Sequence, residues 1–326
     1  MATIKDVAKK AGVSVGSVSR YINNYEVKPK TKSAIEEAIK ELKYEPNVYA
    51  RGFKVNRTNT VALIIPTVWN SFFGELAFNI EKSLRDYGIK MILCNSEDNY
   101  EIELQYITMA KQNKVDGIIA ITYSDVDKYI HSNMPIISID RYFSESITYV
   151  TSDNFEGGRI AANELIKSGC KNIAFIGLGS KIDNATRKRK KGFINYCEEN
   201  NISYTVCDSI EGTQKFSKML DEFLYENFNE KKKIDGIFTV SDDHAFGVIE
   251  KLKRFNINTP NDVQIIGYDG VRAKKEDSIK ISTIRQPVES IASESVRALM
   301  QIIDNKEIQQ KEIILPVKFI KGYTTK

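Results

Sequence analysis

The sequence predicts an α/β protein: a small helical head followed by two doubly wound lobes. Three observations predict it. Residues 1–46 carry three sets of apolar positions at helical spacing. From Val61 onward, short apolar runs alternate with amphipathic stretches. The alternation also repeats itself, because Lys114-Val115-Asp116-Gly117-Ile118-Ile119 is echoed by Lys233-Ile234-Asp235-Gly236-Ile237-Phe238. Strands alternating with helices build parallel sheets covered on both faces. The repeat implies two similar lobes. A length of 326 residues is enough for two or three domains with a large core.

In the head, Ile4, Val7, Ala8 and Ala11 form one face of a first helix. Gly12 ends it, since glycine readily takes the left-handed conformation that closes a helix. Ser14 is placed to cap a second helix with Val15, Val18 and Ile22 on its inner side. Two short helices about a tight glycine turn make a helix-turn-helix, whose second helix can enter a DNA major groove. A third helix opens near Pro29 and covers the pair with Ala34, Ile35, Ala38, Ile39 and Leu42. Pro46 is expected to end it, and Asn47 to cap one more short helix. Residues 1–60 hold twelve Lys and Arg against six Asp and Glu, so the head is basic at +6 while the whole chain is +4. A basic head on a near-neutral body is the footprint of a phosphate-binding module.

Beyond residue 60 the expected order is strand 61–66, helix 75–87, strand 90–95, helix 102–111, strand 117–121, a short helix 126–131 and strand 136–140. A second set follows: helix 157–167, strand 173–177, helix 189–199, strand 204–208, helix 214–226, strand 236–240, helix 245–254 and strand 263–267. The tail reads as helix 288–304 and strand 312–320. Ligands of such sheets bind just past the carboxyl ends of the strands. Asn70, Phe72, Phe73, Asp140, Arg141, Asp153, Asp242 and Asp269 lie there, and Arg189 begins the helix after strand 173–177. Carboxylates and an arginine among aromatic rings suit a polyhydroxylated ligand. Two alternatives stand beside this one: Asp153 and Asp242 can cap the helices that follow them, and Phe72 and Phe73 can be core.

Other classes find little support. Cys94, Cys170, Cys197 and Cys207 are scattered, with His131 and His244 the two histidines, so reduced buried thiols are expected rather than disulfides or a metal site. Gly177-Leu178-Gly179 follows a strand, but position 182 is Ile and the dinucleotide fingerprint is incomplete. Asp242-Asp243-His244 lacks a Ser or Cys nucleophile in a strand-to-helix elbow. Neither enzyme chemistry, a cofactor nor a metal is expected. No stretch approaches the ~20 apolar residues of a membrane span, and the N-terminus has no apolar leader. A cytoplasmic protein without membrane contact is the expectation.

Residues 3–57 resemble the headpiece and hinge of the lactose/galactose repressor (LacI/GalR) family of bacterial transcription regulators. The resemblance is carried by Asp6-Val7-Ala8, Ala11-Gly12-Val13-Ser14, Val18-Ser19-Arg20, Asn23 and the run from Tyr44 to Ala50. It extends through Val150-Thr151-Ser152-Asp153-Asn154, Ile266-Gly267-Tyr268-Asp269 and Thr283-Ile284-Arg285-Gln286-Pro287. It implies a helix-turn-helix domain at 1–46, a hinge helix and linker at 47–59, and a core at 60–326 of the periplasmic-binding-protein type. Lobe 1 would hold about 60–150 and 285–312, and lobe 2 about 151–284 and 313–326. The chain would cross between lobes near 150, 284 and 313.

The resemblance also implies roles. Thr3, Val15, Gly16, Ser17, Ser19, Arg20 and Asn23 would contact DNA, with Arg20 reading guanine or gripping phosphate. Gly16 has no side chain with which to read a base. Asn47, Ala50, Arg51, Phe53 and Lys54 would lie in the minor groove, where Phe53 would act as a wedge between base pairs. Phe72, Phe73, Arg189, Asp242 and Asp269 fall on the family's effector positions, and Asn70, Asp140, Arg141 and Asp153, placed by the strand ends alone, would join them in binding the effector. The function implied is a repressor of sugar uptake or catabolism genes, similar to sucrose-operon regulators. It would bind a pseudo-palindromic operator as a homodimer and be controlled by a sugar or sugar phosphate between the lobes. The last strand is not followed by a heptad helix of the kind that makes tetramers. The alternative is a cytoplasmic sugar-binding protein, or a global regulator governed by a protein corepressor.

Overall fold

The structure is a computed structural model. It describes residues 2–23, 25–44, 57–130, 135–143, 147–179, 184–210, 212–229, 233–272, 274, 276–306 and 310–326. The chain forms two compact units, Met1–Thr58 and Asn59–Lys326.

The first unit is three helices: α1 (Ile4–Ala11), α2 (Val15–Ile22) and α3 (Pro29–Leu42). Thr3 and Asp6 close a capping box at the start of α1, the Thr3 amide donating to Asp6 Oδ2 at 2.8 Å. Gly12 ends α1 at φ 64°. Ser14 caps α2, its Oγ accepting from the Ser17 amide at 3.1 Å. Val7, Ala8, Val18, Ile35 and Ala38 form the core. Val15 departs from expectation: it sits in the first turn of α2 and is 42% exposed, because Val18 and the partly buried Tyr21 and Ile22 already fill the helix's inner stripe. Helix α3 ends at Lys43, in the left-handed conformation, rather than at Pro46, which lies outside the described residues.

The second unit opens with β1 (Thr60–Ile65), α4 (Ser71–Asp86), β2 (Lys90–Asn95), α5 (Tyr100–Gln112), β3 (Gly117–Ala120), a 3-10 turn at Asp127–Tyr129, β4 (Ile136–Ile139) and β5 (Thr148–Ser152). It continues with α6 (Asn154–Lys167), β6 (Asn172–Leu178), α7 (Ala185–Glu199), β7 (Ser203–Ser209), α8 (Thr213–Phe228), β8 (Gly236–Thr239), α9 (Asp242–Leu252) and β9 (Gln264–Asp269). The tail is β10 (Ser282–Arg285), α10 (Val288–Ile303), β11 (Glu312–Leu315) and β12 (Lys318–Ile320).

Two six-stranded sheets result, in the orders β11-β5-β4-β3-β1-β2 and β12-β10-β9-β8-β6-β7. Position by position they match, and the echoed motifs fall on β3 and β8. The repeated aspartates explain the echo. Asp116 Oδ2 accepts from the Asn59 amide (2.8 Å), and Asp235 Oδ1 from the Asn172 amide (2.9 Å), each clamping the start of the neighbouring strand. Ladders are parallel except β10–β12, which is antiparallel.

Helix α10 follows β10 of the second sheet yet buries Val288, Ile291, Ala292, Val296 and Leu299 in the first lobe's core. The chain therefore passes between lobes after β5, after β10 and after β11. Three features differ from the sequence reading. Residues 148–152 and 282–285 are strands in their own right, pairing before the chain leaves each lobe. The run 312–320 is two strands in different sheets, broken where Pro316 has no N–H for a ladder. Helices α4 and α6 start earlier than expected because Asn70 and Asp153 cap them.

Candidate functional site

A cavity of about 360 Å³ lies between the two lobes. Its walls follow from the strand order, since nearly every lining residue stands just past a strand's carboxyl end. Asn70, Phe72 and Phe73 follow β1, Asp98 follows β2, Tyr123 follows β3, and Asp140 follows β4. From the other lobe come Asn184, Thr186 and Arg189 after β6, Ser241 and His244 after β8, and Asp269 at the end of β9. Gln286 enters where the chain leaves β10. Phe72 and Phe73 serve two roles, packing edge to face at 5.4 Å within the lobe core while lining the cavity.

Arg189 organises the site. It is 3% exposed. Its Nε donates to Asn154 Oδ1 (2.7 Å), and one terminal nitrogen donates to the Val240 carbonyl (2.6 Å) and stands 3.5 Å from Asp269 Oδ1. The guanidinium also lies 3.7 Å above the Tyr268 ring. Its backbone position is set by close helix packing. A Cβ on Gly158 would collide with the Arg189 carbonyl, and one on Gly192 with the Phe155 carbonyl, so only glycine lets α6 and α7 touch there.

Hydrogen bonds tie the lobes into one network. Ser152 Oγ donates to Gln286 Oε1 (2.7 Å), and Gln286 Nε2 donates to Asp269 Oδ1 (2.7 Å). On the other side, Asn154 Nδ2 donates to Thr151 Oγ1 (3.1 Å), which donates to Asp140 Oδ1 (2.7 Å). Asp140 and Asp269 end equivalent strands, and both adopt left-handed backbone, at φ 58° and 105°. For a residue with a Cβ this costs energy and is held by its surroundings. Burial pushes Asp269 up to about 7 against the pull of Arg189, and pushes Asp140 up as well. Burial lowers the pKa of His244, whose Nδ1 lies 2.8 Å from Ser241 Oγ. The site thus offers carboxyl groups, one guanidinium, an imidazole and amides, framed by Phe72, Phe73 and Tyr123. That is a set of donors and acceptors for a polyol with an apolar face.

Two further contacts bridge the lobes. Asn70 Nδ2 donates to Asp243 Oδ2 at 2.6 Å. Glu75 on α4 accepts from Arg272 (2.6 Å) and from both terminal nitrogens of Arg285 (2.7 and 2.9 Å). Burial would raise the pKa of Glu75, but the two guanidiniums hold it below the usual carboxylate range.

Six of the nine effector residues expected from sequence line the cavity: Asn70, Phe72, Phe73, Asp140, Arg189 and Asp269. Three do not. Arg141 turns away into the first lobe, donating to Thr122 Oγ1 (2.7 Å), to the Ser124 carbonyl and to Asp127, with its guanidinium 4.5 Å over Phe143. Asp153 caps α6, accepting from the Glu156 amide at 2.9 Å. Asp242 is wholly buried at the start of α9 and holds the loop after β9, its Oδ2 accepting from the Val271 amide at 2.7 Å. Asp98, Tyr123, His244 and Gln286 were not anticipated. Their signal is the same rule of strand ends, and Gln286 stands inside the quoted motif.

In the helical unit, Thr3, Val15, Gly16 and Arg20 are exposed, while Ser17, Ser19 and Asn23 are half-buried. Arg20 reaches the Glu26 carbonyl (3.4 Å) and lies 6.0 Å from the Tyr25 ring, and Asn23 Nδ2 donates to the Ser19 carbonyl (2.7 Å), fixing the end of α2. Asn47, Ala50, Arg51, Phe53 and Lys54 lie outside the described residues. The four cysteines are buried and free. Among the described residues there is no metal-binding cluster, and no helix is long and apolar enough to cross a membrane.

Comparison with known proteins agrees with this architecture. A family model described as bacterial regulatory proteins, lacI family, matches residues 3–47, and one for a periplasmic binding protein-like domain matches 162–325. The ribose operon repressor of Halalkalibacterium halodurans is 34% identical over 100% of this chain and 98% of its own length. The sucrose operon repressor of Pediococcus pentosaceus is 34% identical over 98% of each. The crystal structure of a periplasmic binding protein/LacI transcriptional regulator from Alkaliphilus metalliredigens, complexed with D-xylulofuranose, superposes with a TM-score of 0.73 at 30% identity, over 82% of this chain and 99% of that one.

Proposed function

Because the chain belongs to the lacI family of bacterial regulatory proteins, we propose that it is a sugar-responsive operon repressor that binds its operator as a homodimer. One observation carries the reading: a capped helix-turn-helix with Val15, Gly16 and Arg20 exposed shares a chain with a cleft built around buried Arg189. A sugar-binding protein alone explains the cleft and not the head. A DNA-architectural protein explains the head and not the cleft. No reaction is assigned to the cleft, and the protein acts on DNA in the cytoplasm.

We assign operator contacts to Thr3, Val15, Gly16, Ser17, Ser19, Arg20 and Asn23, with the minor-groove role of Asn47, Ala50, Arg51, Phe53 and Lys54 resting on the family resemblance. We assign effector contacts to Asn70, Phe72, Phe73, Asp140, Arg189 and Asp269. A sugar bound to both walls favours one lobe arrangement, and reciprocity requires that it then shift operator affinity. The test is fluorescence anisotropy of a duplex from the gene's upstream region at fixed salt, with sugars added one at a time. Release or tightening by one sugar supports the reading. Tight operator binding that no sugar or sugar phosphate alters overturns the role of the cleft.

A further inference from the structure

The loop that follows α2 carries an aromatic side chain that packing does not account for. Among the described residues, Tyr25 is 65% exposed and is not part of the head's core, against which Tyr21 and Tyr44 pack. It also lies outside the motifs that carry the family resemblance. Burial gives no reason for a large ring here, and the contacts of the loop give one. The Tyr25 amide donates to the Arg20 carbonyl at 2.9 Å, turning the chain back beside the last turn of α2. That return sets the Tyr25 ring 6.0 Å from the Arg20 guanidinium, and Arg20 Nη2 donates to the Glu26 carbonyl at 3.4 Å. Asn23 closes the same turn, its Nδ2 donating to the Ser19 carbonyl at 2.7 Å. An exposed arginine is thus held by two groups, a π face and a backbone carbonyl. A guanidinium has five N–H donors and the carbonyl takes one, so a bidentate face is left for a guanine edge. Gly16 has no side chain with which to read a base, so recognition by α2 falls heavily on Arg20. A free arginine loses rotamer freedom when it binds, and holding it in place beforehand cuts that cost.

Resting on the operator-binding reading of the head, we infer that Tyr25 is a positioning residue for base recognition, its ring and the Glu26 carbonyl preorganising Arg20 for guanine. A cation–π contact at an exposed site is worth a factor of about two to five in an equilibrium. Tyr25 acts through Arg20, so its effect is confined to duplexes whose bases Arg20 reads.

Anisotropy titrations of the full-length protein test this, with a duplex from the gene's upstream region and a random duplex of equal length. Tyr25→Leu keeps an apolar side chain without the charged face of the ring. It is expected to weaken binding to the upstream duplex about two- to fivefold, with random-duplex binding and the salt slope unchanged. Tyr25→Gln, which suits an exposed loop, is expected to give the same loss and covers the case in which Tyr25→Leu melts early. Tyr25→Phe keeps the ring face and is expected to bind as the wild type does. In an Arg20→Ala background, Tyr25→Leu is expected to add no further loss, because the two residues act as one unit. A loss in Tyr25→Phe equal to that in Tyr25→Leu overturns the inference and assigns the role to the hydroxyl. An equal loss on both duplexes, or a shallower salt slope, overturns it in favour of a phosphate contact. A Tyr25→Leu loss that persists without Arg20 overturns it too. Full affinity in Tyr25→Leu and Tyr25→Gln removes the role of Tyr25 and leaves the operator reading standing, whereas a wild type that binds the two duplexes alike removes both.

Discussion

At the scale of single residues, Arg189 and Asp269 decide most of the cleft's behaviour. Arg189 is the cation beside two buried carboxyl groups, so removing it leaves them uncompensated. Breaking a buried pair in this way costs about 3–5 kcal/mol. That cost falls on the fold; for the effector, Arg189→Ala removes one charge-assisted contact and is expected to lower affinity by about 10- to 100-fold while operator binding without effector persists, which calorimetry and anisotropy on one preparation would check. Asp269 makes a pH prediction. Its folded pKa is raised to about 7 by burial, so the stability it contributes is complete at pH values below its unfolded pKa, about 4, and is lost as pH rises through 7. Against Asp269→Asn, which does not titrate, the wild type should lose ground in thermal melts between pH 5 and 8, by at most about 1.4 kcal/mol per pH unit. A flat difference across that range would contradict the assignment. Sequence position brought Asp140, Arg189 and Asp269 to notice because each closes a strand or opens the helix after one. It could not separate them from Arg141, Asp153 and Asp242. Whether a carboxylate at a helix start caps its own backbone or faces the cleft depends on its rotamer and on what packs above it.

At the scale of elements, the α6–α7 contact and the α2 face each carry a prediction. Gly192→Ala gains up to about 1 kcal/mol of helix propensity but drives a methyl into the Phe155 carbonyl. Overpacking of about 1–3 kcal/mol outweighs the gain. The variant should melt lower and bind effector more weakly, since α7 carries Arg189; a melting point at or above wild type would mean the helices separate freely. On α2, Arg20→Ala should cost about 1–3 kcal/mol of operator affinity if Arg20 reads a base. If the loss is equal on specific and random duplexes, Arg20 holds a phosphate instead. Element identity was largely legible from hydrophobic period and turn residues. Strand ends were less so. The division of 312–320 was hidden because both pieces are apolar and short, and a break at Pro316 shows only once their partners are known.

At the scale of the whole molecule, the second unit is two matched lobes crossed three times by the chain, with Glu75 pinned between Arg272 and Arg285 and Asn70 joined to Asp243. These contacts hold the arrangement seen here, so a ligand that favours another arrangement must work against them. Glu75→Gln keeps the shape but loses the charge, and is expected to change the ratio of operator affinities with and without effector by several-fold, within the usual 1–3 kcal/mol of allosteric coupling. Anisotropy with saturating effector measures it, and an unchanged ratio would show that the pair is only structural.

The sequence by itself determined the helical head, the alternation of strands and helices, the doubled lobe and the kinship with sugar-operon repressors, because periodicity, caps and repeated aspartates act locally along the chain. Tertiary structure decided which side chains meet. The convergence of β1, β4, β6 and β9 brings Asn70, Asp140, Arg189 and Asp269 to one cavity. Such meetings depend on sheet order and crossing points, which join residues more than a hundred positions apart. No local pattern encodes that distance.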